Sequence, residues 1–161
     1  RHYPAVSWLD SSSRDAERIA EWQVAGHEPL WGARREQALR LLADADHLES
    51  VAQLVGATSL PDTERIVLLT GRLLREVVLQ QSSLSPNDAT CSPAKQDALL
   101  RLVLDVRDCC LGLVARGIPA ARIEQVDLSI ASRARDTTLP DDAAGVEAIG
   151  VQALASLEAI A

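Results

Sequence analysis

Apolar residues recur at three- and four-residue steps along most of this chain, and those steps predict helices. From Ala33 to Val55, the residues Ala38, Leu41, Leu42, Ala45, Leu48, Ala52 and Val55 fall on one face of a helix. Arginines and acids, from Arg34 to Glu49, fill the other face. A second long helix runs over about Asp62–Gln81. Its apolar set, from Ile66 to Val78, covers more than half the circumference, so it is expected to lie centrally. A third spans about Pro93–Arg116, with Ser92 as N-cap, Pro93 in the first turn, and Leu99, Val103, Val106, Cys110 and Leu113 facing inward. Gly117 ends it.

Weaker patterns flank these three. Arg14–Val24 predicts a short helix, broken at His27-Glu28-Pro29. Pro119 opens another, to about residue 126, with Val126–Arg135 as its continuation. Residues 137–142 read as a turn, and Ala144–Ile160 as a last amphipathic helix. No strand pattern competes and there is no internal repeat. The fold class is all-α: a bundle of five to six helices behind an irregular N-terminal lead-in. The expected organisation is a lead-in over 1–32, a core bundle over 33–135, and an acidic turn and helix over 136–161. That last stretch carries acids and no base, so it is expected to be solvated or to face a basic partner.

The junction of the first two long helices has its own chemistry. Gly56 suits the position just past a helix end, where the backbone goes left-handed. Ser59-x-x-Asp62 fits a capping box, and Pro61 a first helical turn. The expected product is a helix–turn–helix elbow with Leu60 exposed at its tip beside Asp62 and Glu64.

Composition narrows the function. The core must be built from Leu, Val, Ile and Ala, because there is no Phe or Met and only one Tyr and three Trp. Trp8, Trp22 and Trp31 read as anchors for the lead-in. A net charge of -7 argues against nucleic acid, whose phosphates need a basic stripe. No apolar run is long enough for a membrane span, and the opening, without an initiator Met, reads as a piece of a longer polypeptide. Cys91, Cys109 and Cys110 are an odd number without metal spacing. Buried, reduced thiols are the favoured reading, ahead of a redox or metal role.

Reactive constellations are missing from the sequence. The single lysine, Lys95, has no glycine loop, so there is no phosphate cradle of the G-x-x-x-x-G-K-[ST] type. No nucleophile elbow, zinc helix or C-x-x-C is present. His2, His27 and His47 sit on polar or irregular segments and read as surface or capping residues. Asp44 and Asp46 point to different sides of their helix, and Asp141-Asp142 reads as a cap.

Several ordered phrases do resemble a known family. Arg1-His2-Tyr3-Pro4-Ala5-Val6-Ser7-Trp8 is similar to the R-H-F-P-A-I-N-W phrase of catalytic A subunits of V/A-type rotary ATPases and ATP synthases. Leu54-Val55-Gly56, Leu60-Pro61, Glu64-Arg65, Leu73-Leu74-Arg75-Glu76, Leu79-Gln80-Gln81 and Cys91-Ser92-x-x-Lys95-Gln96 follow the same family in order. The opening also resembles the related F-type β subunit. The resemblance covers residues 1–115 and fades after Arg116.

The resemblance implies a helical C-terminal domain of a catalytic subunit. In the parent, ATP hydrolysis or synthesis would turn a central shaft and move ions, protons among them. The elbow residues Ala57, Thr58, Ser59, Leu60, Pro61, Asp62 and Glu64 would meet the shaft. Tyr3 and Leu84 would border the adenine pocket, although Leu84 stands where the family has a stacking aromatic. Implied partners are the other catalytic and non-catalytic subunits of a hexamer and the shaft subunit, with no membrane insertion. The implied location is cytoplasmic, at the membrane through the complex. ATP or ADP with Mg would belong to the parent, and this chain alone is expected to be catalytically inactive. The alternative reading is a free-standing α-helical interaction or regulatory module.

Overall fold

The computed structural model describes residues 8, 11, 13–26 and 29–161. Among them it shows helices and no strand. Helix α1 spans Ala16–Ala25 and α2 Trp31–Val55; a 3-10 turn, Ala57–Ser59, leads into α3 at Asp62–Leu74. The chain then widens into a single π turn, Arg75–Leu79. Helix α4 covers Pro93–Ala115, the one-turn helices α5, α6 and α7 cover Ala120–Ile123, Ser129–Ser132 and Ala134–Thr137, and α8 covers Ala143–Glu158.

Caps explain the sharper boundaries. Ser92 Oγ accepts the Lys95 backbone N–H at 3.2 Å, ahead of Pro93 at the start of α4. Gly117 ends α4 with φ 88°. There Ile118 N–H reaches Leu113 O and Gly117 N–H reaches Val114 O, the paired bonds of a Schellman motif. Asp142 caps α8, accepting the Gly145 N–H at 2.7 Å, so that half of the acid pair is a cap, as expected.

The core is organised on α4 rather than on α3. Helix α8 covers one side of α4 most extensively, and α3 and α2 cover another. As a result Leu99, Leu100, Leu102, Val103, Leu104 and Val106 are all buried, around more of α4 than one stripe. Helix α3 still buries Ile66, Leu73 and Leu74 completely or nearly so. Its expected straight run to Gln81 instead loosens at Arg75, where Gln80 N–H bonds five residues back to Arg75 O at 2.8 Å.

Three further expectations change. Helix α8 is no solvated tail: Val146, Ala153 and Leu157 are fully buried, and its acids pair within the chain, Glu147 with Arg101 at 2.5 Å and Glu158 with Arg116 at 2.8 Å. The stretch expected to continue from Val126 to Arg135 breaks into α6 and α7. Asp127 causes part of the break by capping the Ser129 N–H at 2.9 Å. Trp22 is no anchor, being 60% exposed. Helix α1 turns Ala20 toward Gly32 and buries Gln23, which leaves Ile19 and Trp22 outward.

Candidate functional site

The elbow between α2 and α3 is held from both sides. Midway along the pair the helices touch almost backbone to backbone. A Cβ placed on Gly71 would lie 2.4 Å from the Ala45 Cβ, so only glycine allows this approach. Nearer α3's end, Arg75 bonds Glu49 of α2. At the elbow end, Arg65 forks onto Glu124 beyond α5, Nε to Oε1 at 3.0 Å and Nη2 to Oε2 at 2.5 Å. The two helices therefore form one braced body that ends in a turn.

The turn departs from its predicted form in three ways. Gly56 has the expected positive φ of 87°, but its ψ of 136° makes the chain leave α2 extended instead of curling back. The 3-10 turn then uses Ser59 as a helical residue, and the α3 N-cap is Pro61 with no side-chain cap bond, so the capping box is not formed. Leu60, expected at an exposed tip, is only 8% exposed. The extended backbone at Leu60 turns its side chain inward.

Ala57, Thr58, Ser59 and Pro61 are exposed, and Asp62 and Glu64 are half-buried. The apolar surface at this end comes from Leu54 and Val55, 86% and 55% exposed. Periodicity puts Val55 on the inner face, but the last turn of α2 overhangs the bundle.

A second feature is not anticipated by the sequence. Lys95, the one lysine of the chain, is completely buried. Its Nζ donates to Asn87 O at 3.0 Å, Arg135 O at 2.8 Å and Thr138 O at 2.8 Å, which uses all three ammonium protons. Burial pushes this ammonium below its ordinary pKa, with the Cys91 and Asp88 charges opposing the shift. Around it, Asp88 sits 3.1 Å from Arg135 Nε and accepts the Ser82 N–H, while Gln81 Nε2 holds Asp88 O at 2.7 Å. Arg135 Nη2 donates to the Val78 carbonyl beside the π turn. Ser85 and Asn87 both bond Asp136. Residues 80–92 are thus clamped to the α7 segment.

On that clamped loop Leu84 stands 93% exposed. Tyr3, His2 and His27 lie outside the described residues, and His47 is exposed on α2. Cys91 and Cys109 are half-buried, Cys110 is buried, and all three are free thiols. Burial, then the neighbouring Cys109, pushes the Cys110 pKa to about 12, consistent with an inert thiol. Among the described residues no group of three or more His, Cys, Asp or Glu could hold a metal ion. No helix among them is long and apolar enough to cross a membrane. Between α2 and α4, closed at one end by the π turn, lies an open pocket of about 350 Å3, walled by Trp31, Leu39, Leu74 and Val78 among others.

The family model described as the C-terminal domain of V and A type ATP synthase matches residues 20–112. The V-type ATP synthase alpha chain of Anaeromyxobacter sp. (strain K) is 40% identical over 163 residues, covering 99% of this chain and 28% of that protein. The A subunit of the A-type ATP synthase of Pyrococcus abyssi is 35% identical over 126 residues, covering 78% of this chain and 12% of that protein. Its counterpart from Thermofilum pendens is 38% identical over 123 residues, covering 76% of this chain and 20% of that protein. The chain thus spans under a third of the length of these relatives.

Proposed function

The chain belongs to the family of C-terminal domains of V- and A-type ATP synthases, and from that premise we propose that it works as a lever. In this reading the nucleotide site of the parent lies on another part of the polypeptide. Opening and closing of that site swings the helical body, and the α2–α3 elbow presses on a rotating central shaft. ATP hydrolysis or synthesis in the parent is coupled in this way to ion movement. The partners are the shaft and the neighbouring subunits of the same assembly.

The observation that carries the reading is the bracing of the elbow. A lever transmits force only if its arm does not bend. Here two long helices pack the Ala45 methyl directly onto the Gly71 backbone, are tied by Arg75 to Glu49, and are fixed at the far end by Arg65 to Glu124. The working surface is Leu54, Val55 and Ala57–Ser59, with Pro61 behind them; Leu60 supports the turn from inside. Contact is by shape more than by charge, because no residue from Gln53 to Pro61 is charged.

For a nucleotide, this chain offers an edge and no more. Leu84 on the clamped loop supplies apolar contact, Tyr3 is assigned by the same reading to the border of the adenine pocket, and ATP with Mg would be held by residues outside this chain. The test uses the full-length subunit in its assembly. Leu54→Asp with Val55→Asp should lower ATP-driven rotation or ion transport several-fold while nucleotide binding is kept. Unchanged coupling would remove the elbow from the force path.

A further inference from the structure

We propose that the pocket between α2 and α4 is a binding site for a small amphipathic carboxylate, with Arg35 holding the anionic end and the apolar walls holding the body. This goes beyond the lever reading and does not depend on it. The pocket measures about 350 Å3, within the range of ligand sites, about 300–1,000 Å3. Its walls are apolar, Trp31 and Leu39 from α2 and Leu74 and Val78 from α3 and its π turn. Among the described residues two guanidiniums line it, Arg35 and Arg135, and no carboxylate does.

The two arginines differ in state. Arg135 is matched in charge by Asp88 at 3.1 Å. Arg35 is half-buried and has no ion pair or hydrogen bond among the described residues. Its neighbours on the same helix are paired, Arg34 with Asp97 and Arg40 with Glu36. A half-buried cation beside apolar walls loses hydration without a compensating partner. One unpaired fork matches one carboxylate, bidentately. A flat or aliphatic body then covers Trp31, which is half-buried, and Leu39, which is exposed. The volume of about 350 Å3 and the single unpaired guanidinium match a small molecule with one anionic end.

Calorimetric titration of the full chain with 4-phenylbutyrate and with its neutral analogue 4-phenylbutyramide tests this. The carboxylate should bind saturably and the amide at least tenfold more weakly. Arg35→Gln, whose fold is checked by circular dichroism, should cost the carboxylate at least tenfold and the amide little. Cys91 lies in the same pocket, so saturating carboxylate should protect it from N-ethylmaleimide while leaving Cys109 on α4 unprotected. No saturable binding, equal affinity for both probes, no effect of Arg35→Gln, or equal protection of both thiols would overturn the assignment.

Discussion

Replacing Gly71 by alanine is the smallest change that should unbrace the elbow. The added Cβ would lie 2.4 Å from the Ala45 Cβ, where carbon atoms ordinarily meet at about 3.5–4.0 Å. The gap cannot be made by a rotamer change, because both atoms are fixed to their backbones; α2 and α3 must separate by about 1 Å or more. Overpacking of this kind costs about 1–3 kcal/mol, and the rigid neighbour puts this case toward the upper end. Alanine's better helix propensity returns about 1 kcal/mol. The net loss is then about 1–2 kcal/mol, or about 2–8 °C in melting temperature for a domain of this size. Urea unfolding of the chain followed by circular dichroism measures it. Ala45→Gly alone should also destabilise, but the double variant moves one methyl across the interface and should lie near the original. A coupling energy of about 2–3 kcal/mol is expected from the cycle. A neutral or stabilising Gly71→Ala, or a coupling near zero, would refute the close Ala45–Gly71 contact as the brace.

Other outcomes follow from the same structure. Lys95→Met leaves two buried carbonyls and one half-buried one without their donor and should cost about 3–5 kcal/mol, with amide exchange rising first in residues 80–92. Arg65→Met removes a partly exposed fork and should cost no more than about 1 kcal/mol, less in high salt. Cys110, its pKa pushed to about 12 by burial, should react with a thiol reagent only after denaturant is added, whereas Cys91 and Cys109 react in the native protein. Glu158 titrates below its ordinary value of 4.5, first because Arg116 bonds its carboxylate. A depressed folded pKa contributes stability above the unfolded value and loses it as pH falls through the folded one. NMR titration should therefore show the Glu158 pKa rising toward its ordinary value in Arg116→Gln.

The long helices are legible because their apolar spacing is strong and their caps are local. Ser92-Pro93, Asp142 and Gly117 act within one turn of where they stand, so the sequence alone suffices to place them. Positions that depend on tertiary context are not legible in this way. A leucine in a turn is expected outward, yet the extended backbone after Gly56 turns Leu60 in. Periodicity puts Val55 inward, yet α2 outruns the bundle. The acids of α8 look free in sequence because their partners, Arg101 and Arg116, lie in a distant stretch of chain. The burial of Lys95 is invisible for the same reason: a lone lysine in a helix normally reaches solvent, and the carbonyls that receive it come from residues 87, 135 and 138. Its place in the Cys91-Ser92-x-x-Lys95-Gln96 phrase is the only sign of it.

The lever account rests on the elbow turn meeting a rotating partner, and a reversible cross-link tests that contact. Thr58→Cys in the full-length subunit, assembled with its complex, is oxidised against a cysteine introduced on the shaft. The account predicts a disulfide between the two polypeptides, arrest of ATP-driven rotation when it forms, and recovery on reduction. An introduced thiol at position 58 that stays unlinked and freely labelled during turnover, or rotation that continues with the link in place, would contradict it.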